Sequence, residues 1–152
     1  MDLSGFAEHL AAIADEASLE IPIGGRTYTV RPPTTEVGAR CAALWAARTA
    51  DAEAWRSVYG EVIPEGMTLP QLTLGADVVE QMTADGVPGL LVQEAGMVAL
   101  ITWAVGPDAA QAYIDQQVEK QAQRGDGAGK VPRRSPSRKR TGTSTGSASR
   151  TR

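Results

Sequence analysis

The chain has 152 residues, one cysteine, one histidine and a net charge of −3, which is enough for one domain that folds without metal or disulfide staples. Cys41 alone excludes an intrachain disulfide, and His9 alone excludes a multi-histidine metal site within one chain. The charge is unevenly placed: residues 1–124 carry 7 Lys+Arg against 17 Asp+Glu, whereas residues 125–152 carry 8 basic residues against a single acid.

The first five residues, Met1-Asp2-Leu3-Ser4-Gly5, lack the basic start and apolar run of a secretory signal, so export by that route is not expected. From Ser4, the apolar positions Phe6, Leu10, Ile13 and Ala17 recur at helical spacing and predict a short amphipathic helix. Leu19, Ile21 and Ile23 then alternate, Gly24 and Gly25 come next, and Tyr28 and Val30 resume the alternation before Pro32-Pro33. This pattern predicts a β-hairpin at about residues 19–31, because paired glycines reach the positive φ angles of a two-residue primed turn. Pro22 lacks a donor and places the first strand at an edge.

Thr34 or Thr35 can cap an alanine-rich helix that lines up Val37, Cys41, Leu44 and Trp45, and a third helix sets Ala52, Trp55, Val58 and Tyr59 on one face. Residues 60–72, with Pro64-Glu65-Gly66, read mostly as loop. Thr73 is expected to open a helix that ends at Asp85-Gly86. Pro88 starts the next one, apolar nearly all round from Leu90 to Val105 and therefore expected at the centre of the bundle. It is the nearest approach to a membrane span, but Pro88, Gly89, Gln93, Glu94 and Gly96 interrupt it, so no membrane association is expected. Gly106-Pro107-Asp108 opens a last helix carrying Ala110, Tyr113, Ile114, Gln117 and Val118, which frays near Arg124-Gly125. The fold class is thus mainly α, a compact bundle of about five helices with one N-terminal hairpin.

Residues 125–152 have one valine and no aromatic and are expected to be a disordered basic tail, leaving 1–124 as the folded domain. The tail's cluster is Arg133, Arg134, Arg138, Lys139 and Arg140. A passive tail, a protein contact and nonspecific attraction to nucleic acid are all consistent with it. Without an aromatic to stack on bases, sequence-specific nucleic-acid recognition is not expected.

No catalytic, metal or cofactor constellation emerges. The acidic pairs Asp15-Glu16 and Asp51 with Glu53 fall on helix surfaces and boundaries. Gly24-Gly25-Arg26 lacks the Lys-Ser/Thr of a phosphate loop and the three spaced glycines of a dinucleotide loop, and the adjoining Thr27-Tyr28-Thr29-Val30 is strand chemistry. The chain therefore reads as a non-enzyme without cofactors.

The hairpin sequence Ile21-Pro22-Ile23-Gly24-Gly25-Arg26-Thr27-Tyr28, the Leu44-Trp45 helix, Ala84 to Gly89 ("ADGVPG") and Trp103 to Gly106 ("WAVG") occur together. In this combination, over about residues 3–118, the chain resembles the tail assembly chaperones of long-tailed phages that infect actinobacteria. The resemblance implies a non-enzymatic helical protein of the infected cell's cytoplasm, absent from the mature virion. Such a protein coats the tape measure protein, keeps it soluble and helps recruit tail tube protein. It also implies two products related by a programmed frameshift, and residues 125–152 have the position either of that terminal extension or of the short product's own end. A chaperone for a helical client needs an apolar groove and a charged exterior. The expected groove lies between the hairpin and the alanine-rich helix, with Tyr28, Val30, Leu44 and Trp45 as anchors. Coating a long rod also calls for self-association, through the hairpin edge or the helix sides. The alternatives are a head–tail or minor tail component retained in the virion, and a nucleic-acid-associated protein using its basic tail.

Overall fold

The computed structural model describes residues 4–127. The chain is mainly helical with an early antiparallel hairpin. Helix α1, Ser4–Glu16, leads through Ala17 and Ser18 into β1, Leu19–Ile23, and β2, Arg26–Val30. Leu19 pairs with Val30, Ile21 with Tyr28 and Ile23 with Arg26. Gly24 at φ 60° and Gly25 at φ 80° make the turn, the left-handed pair that a primed two-residue connection requires. The alternation puts Tyr28 and Val30 on the buried face and leaves Thr27 and Thr29 exposed.

Helix α2 spans Thr35–Ala50, capped by Thr34, whose hydroxyl accepts from the Val37 N–H at 3.3 Å. It buries Cys41, Leu44 and Ala47 along one line. Asp51 ends α2 and caps α3, Ala52–Val62, its Oδ1 accepting from the N–H groups of Glu53 at 2.9 Å and Ala54 at 2.8 Å.

The segment expected to be loop holds a further helix: α3 runs on to Val62, and α4 occupies Leu69–Leu74. Its start is a capping box, in which Thr68 Oγ1 accepts from the Gln71 N–H and Gln71 Oε1 accepts from the Thr68 N–H. Six residues are too few to show a period, which is why apolar spacing passes over them. The expectation that Thr73 opens the next helix is corrected with it. Thr73 lies buried inside α4, its hydroxyl 3.0 Å from the carbonyl oxygens of both Leu69 and Gly96. The break falls at Gly75, φ 93°, and α5 runs Ala76–Ala84.

Asp85 and Gly86, φ 74°, close α5 as the sequence indicates, and α6, Gly89–Ala104, comes after them. Helix α7 extends Pro107–Gly127, past the expected end near Arg124. Residues 128–152, including the basic cluster from Arg133 to Arg140 and the disorder expected there, lie outside the described residues.

Helix α6 is the central element. On one side Val92, Ala95 and Ala99 pack with Tyr28, Val30, Leu74, Val78 and Met82. On the other, Leu100 packs with Cys41, Leu44, Ile63, Leu69 and Leu72. Trp103 packs against both clusters, and its indole N–H donates to the Thr73 carbonyl at 2.9 Å. Gly96 lets α4 come close: a Cβ there would stand 2.9 Å from Pro70 Cα.

Candidate protein-binding surface

Cys41 is fully buried in α2, and burial pushes its thiol pKa up to about 11, so it presents no thiolate to a substrate. His9 is exposed on α1. Among the described residues no three His, Cys, Asp or Glu side chains gather as a metal site. No helix among them is long and apolar enough to cross a membrane.

Three of the four expected groove anchors belong to the core. Tyr28, Val30 and Leu44 are 2%, 1% and 0% exposed. They are also divided: Tyr28 and Val30 pack toward α5 and α6, Leu44 toward α3 and α4. Only Trp45 is half-buried. The four therefore do not line one groove, which corrects that expectation. Periodicity identified their apolar faces, but the hairpin and α2 turn those faces to different sides of α6.

Tyr28 also has a polar task. Its hydroxyl donates to Asp85 Oδ2 at 3.0 Å, and Arg26 pairs with Asp85 Oδ1, so both bonds fasten the hairpin to the α5–α6 turn. Burial, then Asp85, raise the Tyr28 phenol above its ordinary 10.0. The neutral phenol is the form the fold favours, so its stabilisation is complete below the ordinary value and is lost as pH rises through the raised one. Tyr28→Phe is expected to lower stability near neutrality, through the lost bond to a charged acceptor, read as a lower urea midpoint. It should also flatten the alkaline limb of the stability curve, which urea titrations at pH 8 to 11 will measure.

The remaining tryptophan on the outer helices, Trp55, lies half-buried on α3 with the Arg48 guanidinium 5.5 Å from its ring and Tyr59 stacked at a tilt, 5.4 Å between centroids. Arg48 and Tyr59 thus cover much of the surface where an aromatic anchor would otherwise be offered.

The apolar opening lies elsewhere. β1, α6 and α7 border a groove of about 500 Å³ lined by Leu19, Ile21, Ile23, Leu91, Val98 and Ile114, with Glu20, Glu94 and Gln111 among its polar residues. Leu19, Ile21, Ile23, Val98 and Ile114 are half-buried, so the groove is floored by the fold and open to solvent. Glu94 is steadied by the Tyr113 hydroxyl at 3.2 Å. Exposed Val118 extends the line of Ile114 along α7. A second cleft of about 520 Å³ between β2, α2, α4 and α5 is more mixed, with Arg31, Pro32, Asp77 and Gln81 beside Val37 and Leu74.

Sequence does not assemble the apolar groove, although it offers one of its walls, the hairpin edge, as a surface for self-association. Its walls come from segments some 70 to 90 residues apart, and sequence carries each wall separately: the alternation of Leu19, Ile21 and Ile23, the apolar residues on every face of α6, and Ile114 and Val118 sharing a face of the last helix.

The fold and this groove define a helical protein with a surface suited to taking up an apolar helix or strand. By sequence the chain belongs to the family described as Domain of unknown function (DUF7426), whose model matches residues 8–151. The match takes in most of α1 and continues through the basic segment. No curated protein and no solved structure matches the chain.

Proposed function

We propose that this protein is a phage tail assembly chaperone that binds the tape measure protein through the β1–α6–α7 groove, holds it soluble in the host cytoplasm and helps bring tail tube protein to it. The observation that carries the reading is the groove itself. An apolar slot with carboxylates among its walls takes the apolar face of an amphipathic helix and leaves the client's polar face in water. The acidic excess of residues 1–124 supports the same reading, since a like-charged coat keeps a coated rod from aggregating. The resemblance in the hairpin and the two glycine-ended turns supplies the client's identity. This is binding work, with no catalytic step.

Co-expression tests it. The tape measure protein is expected in the soluble fraction with the wild-type chain and in the pellet with Leu91→Asp, which puts a charge in the groove at a position already 43% exposed. A client that stays insoluble with the wild-type chain counts against the chaperone reading. Mass spectrometry of purified particles separates the virion-component alternative, because an assembly chaperone is absent from finished particles.

A further inference from the structure

Two uncovered apolar surfaces of this chain match one another. Helix α1 buries none of its residues, and Phe6, Leu10 and Ile13 are 58%, 48% and 48% exposed. They stand at i, i+4 and i+7, an apolar line about 10 Å long on a helix of about 20 Å. A lone helix of this length is marginal in water, so its stability must come from whatever covers that line.

The groove carries the same spacing. Leu91, Ala95 and Val98 stand at i, i+4 and i+7 on α6, and all three line it. Its β1 wall, five residues long, extends about 17 Å, close to the length of α1.

The chain's own α1 is turned away from this groove. Ala17 and Ser18 alone join α1 to β1. The Ser18 N–H donates to the Asp15 carbonyl and its hydroxyl to the Ala14 carbonyl, both at 3.1 Å, which fixes the reversal. Ala11, Ala14 and Asp15 stand beside Thr29, Arg31 and Pro32 on the β2 side of the hairpin. No β2 residue lines the groove. To enter it, α1 must cross the ribbon and break those bonds; the α1 of another molecule need not.

We propose that the apolar line of α1 seats in the β1–α6–α7 groove of a second copy of this chain, the two molecules exchanging helices about a two-fold axis. Two such contacts bury on the order of 1,500 Å², within the range of a stable interface. Both surfaces are acidic at their borders, with Glu8, Asp15 and Glu16 on α1 and Glu20 and Glu94 at the groove. Salt therefore strengthens the association by screening the repulsion. The exchanged helix also occupies the client's place until a client helix displaces it; this last clause alone rests on the chaperone reading.

Sedimentation velocity of the full chain over a concentration series is the test. The wild-type chain is expected to dimerise, more tightly in 0.5 M than in 0.05 M salt. Leu10→Asp, at a side chain outside both apolar clusters of its own molecule, is expected to weaken the dimer at least tenfold, and Leu91→Asp to do the same from the groove side. Mixing the two variants restores one of the two contacts, the α1 of the Leu91→Asp chain in the groove of the Leu10→Asp chain, so the mixture associates more tightly than either variant alone and less tightly than the wild type. A wild-type monomer throughout, or a Leu10→Asp chain that sediments as the wild type does, would overturn the exchange. Neither result touches the co-expression assay, in which Leu10→Asp keeps the groove and still solubilises the client.

Discussion

Gly96→Val is expected to be among the most damaging single changes in the molecule. Helix α4 crosses α6 at Pro70, and even the first added carbon at residue 96 would lie 2.9 Å from Pro70 Cα and 3.1 Å from its Cγ. Those are a backbone atom and a ring, neither of which can swing aside, so the helices must part. Separation also breaks the pairing across the contact, where the Thr73 hydroxyl meets the Gly96 carbonyl. We expect a loss of about 3 kcal/mol or more, at the upper end for overpacked cores. Gly96→Ala should lose less, because the gain in helix propensity, about 1 kcal/mol, offsets part of the clash. Thermal and urea denaturation of the two variants will give the order.

Leu44→Ala ranks beside it, for the opposite reason. Leu44 is fully buried against Cys41, Ile63, Leu69, Leu72 and Leu100. Truncation there leaves a void among side chains anchored on α2, α3, α4 and α6, which cannot all relax into it. A cost of about 3–4 kcal/mol is expected from cavity formation, read as a lowered urea midpoint with an unchanged slope. The neighbouring Trp45→Ala should cost less, since that side chain is only half-buried. If Leu44 instead anchored a client at the surface, its truncation would leave stability intact and client solubility lowered, so the pair of measurements separates core from binding site.

The elements that could be read from sequence were those whose determinants sit side by side. Two glycines between alternating strands specify the hairpin, Asp85-Gly86 ends α5, and apolar residues on every face mark α6 as central. Helix α4 escaped because six residues hold less than two turns, although Thr68 and Gln71 carry its capping box in plain view. The binding surface escaped for a different reason. An apolar stripe announces that it will be covered without naming its cover, so Tyr28 and Leu44 looked like neighbours in one groove when α6 stands between their clusters. The β1–α6–α7 groove depends on which helix lies beside which strand, and that is decided only by the packed whole.

The position of α6 has one more consequence. Because a single helix walls both apolar clusters, and Trp103 reaches into each while bonded to Thr73, neither half can melt while the other keeps its surface covered. The body is therefore expected to unfold as one cooperative unit despite its divided interior, with fluorescence and circular-dichroism transitions coinciding in urea. The indole of Trp103, at the junction, reports on that transition from inside. Helix α1, which buries no residue and belongs to neither cluster, lies outside that unit.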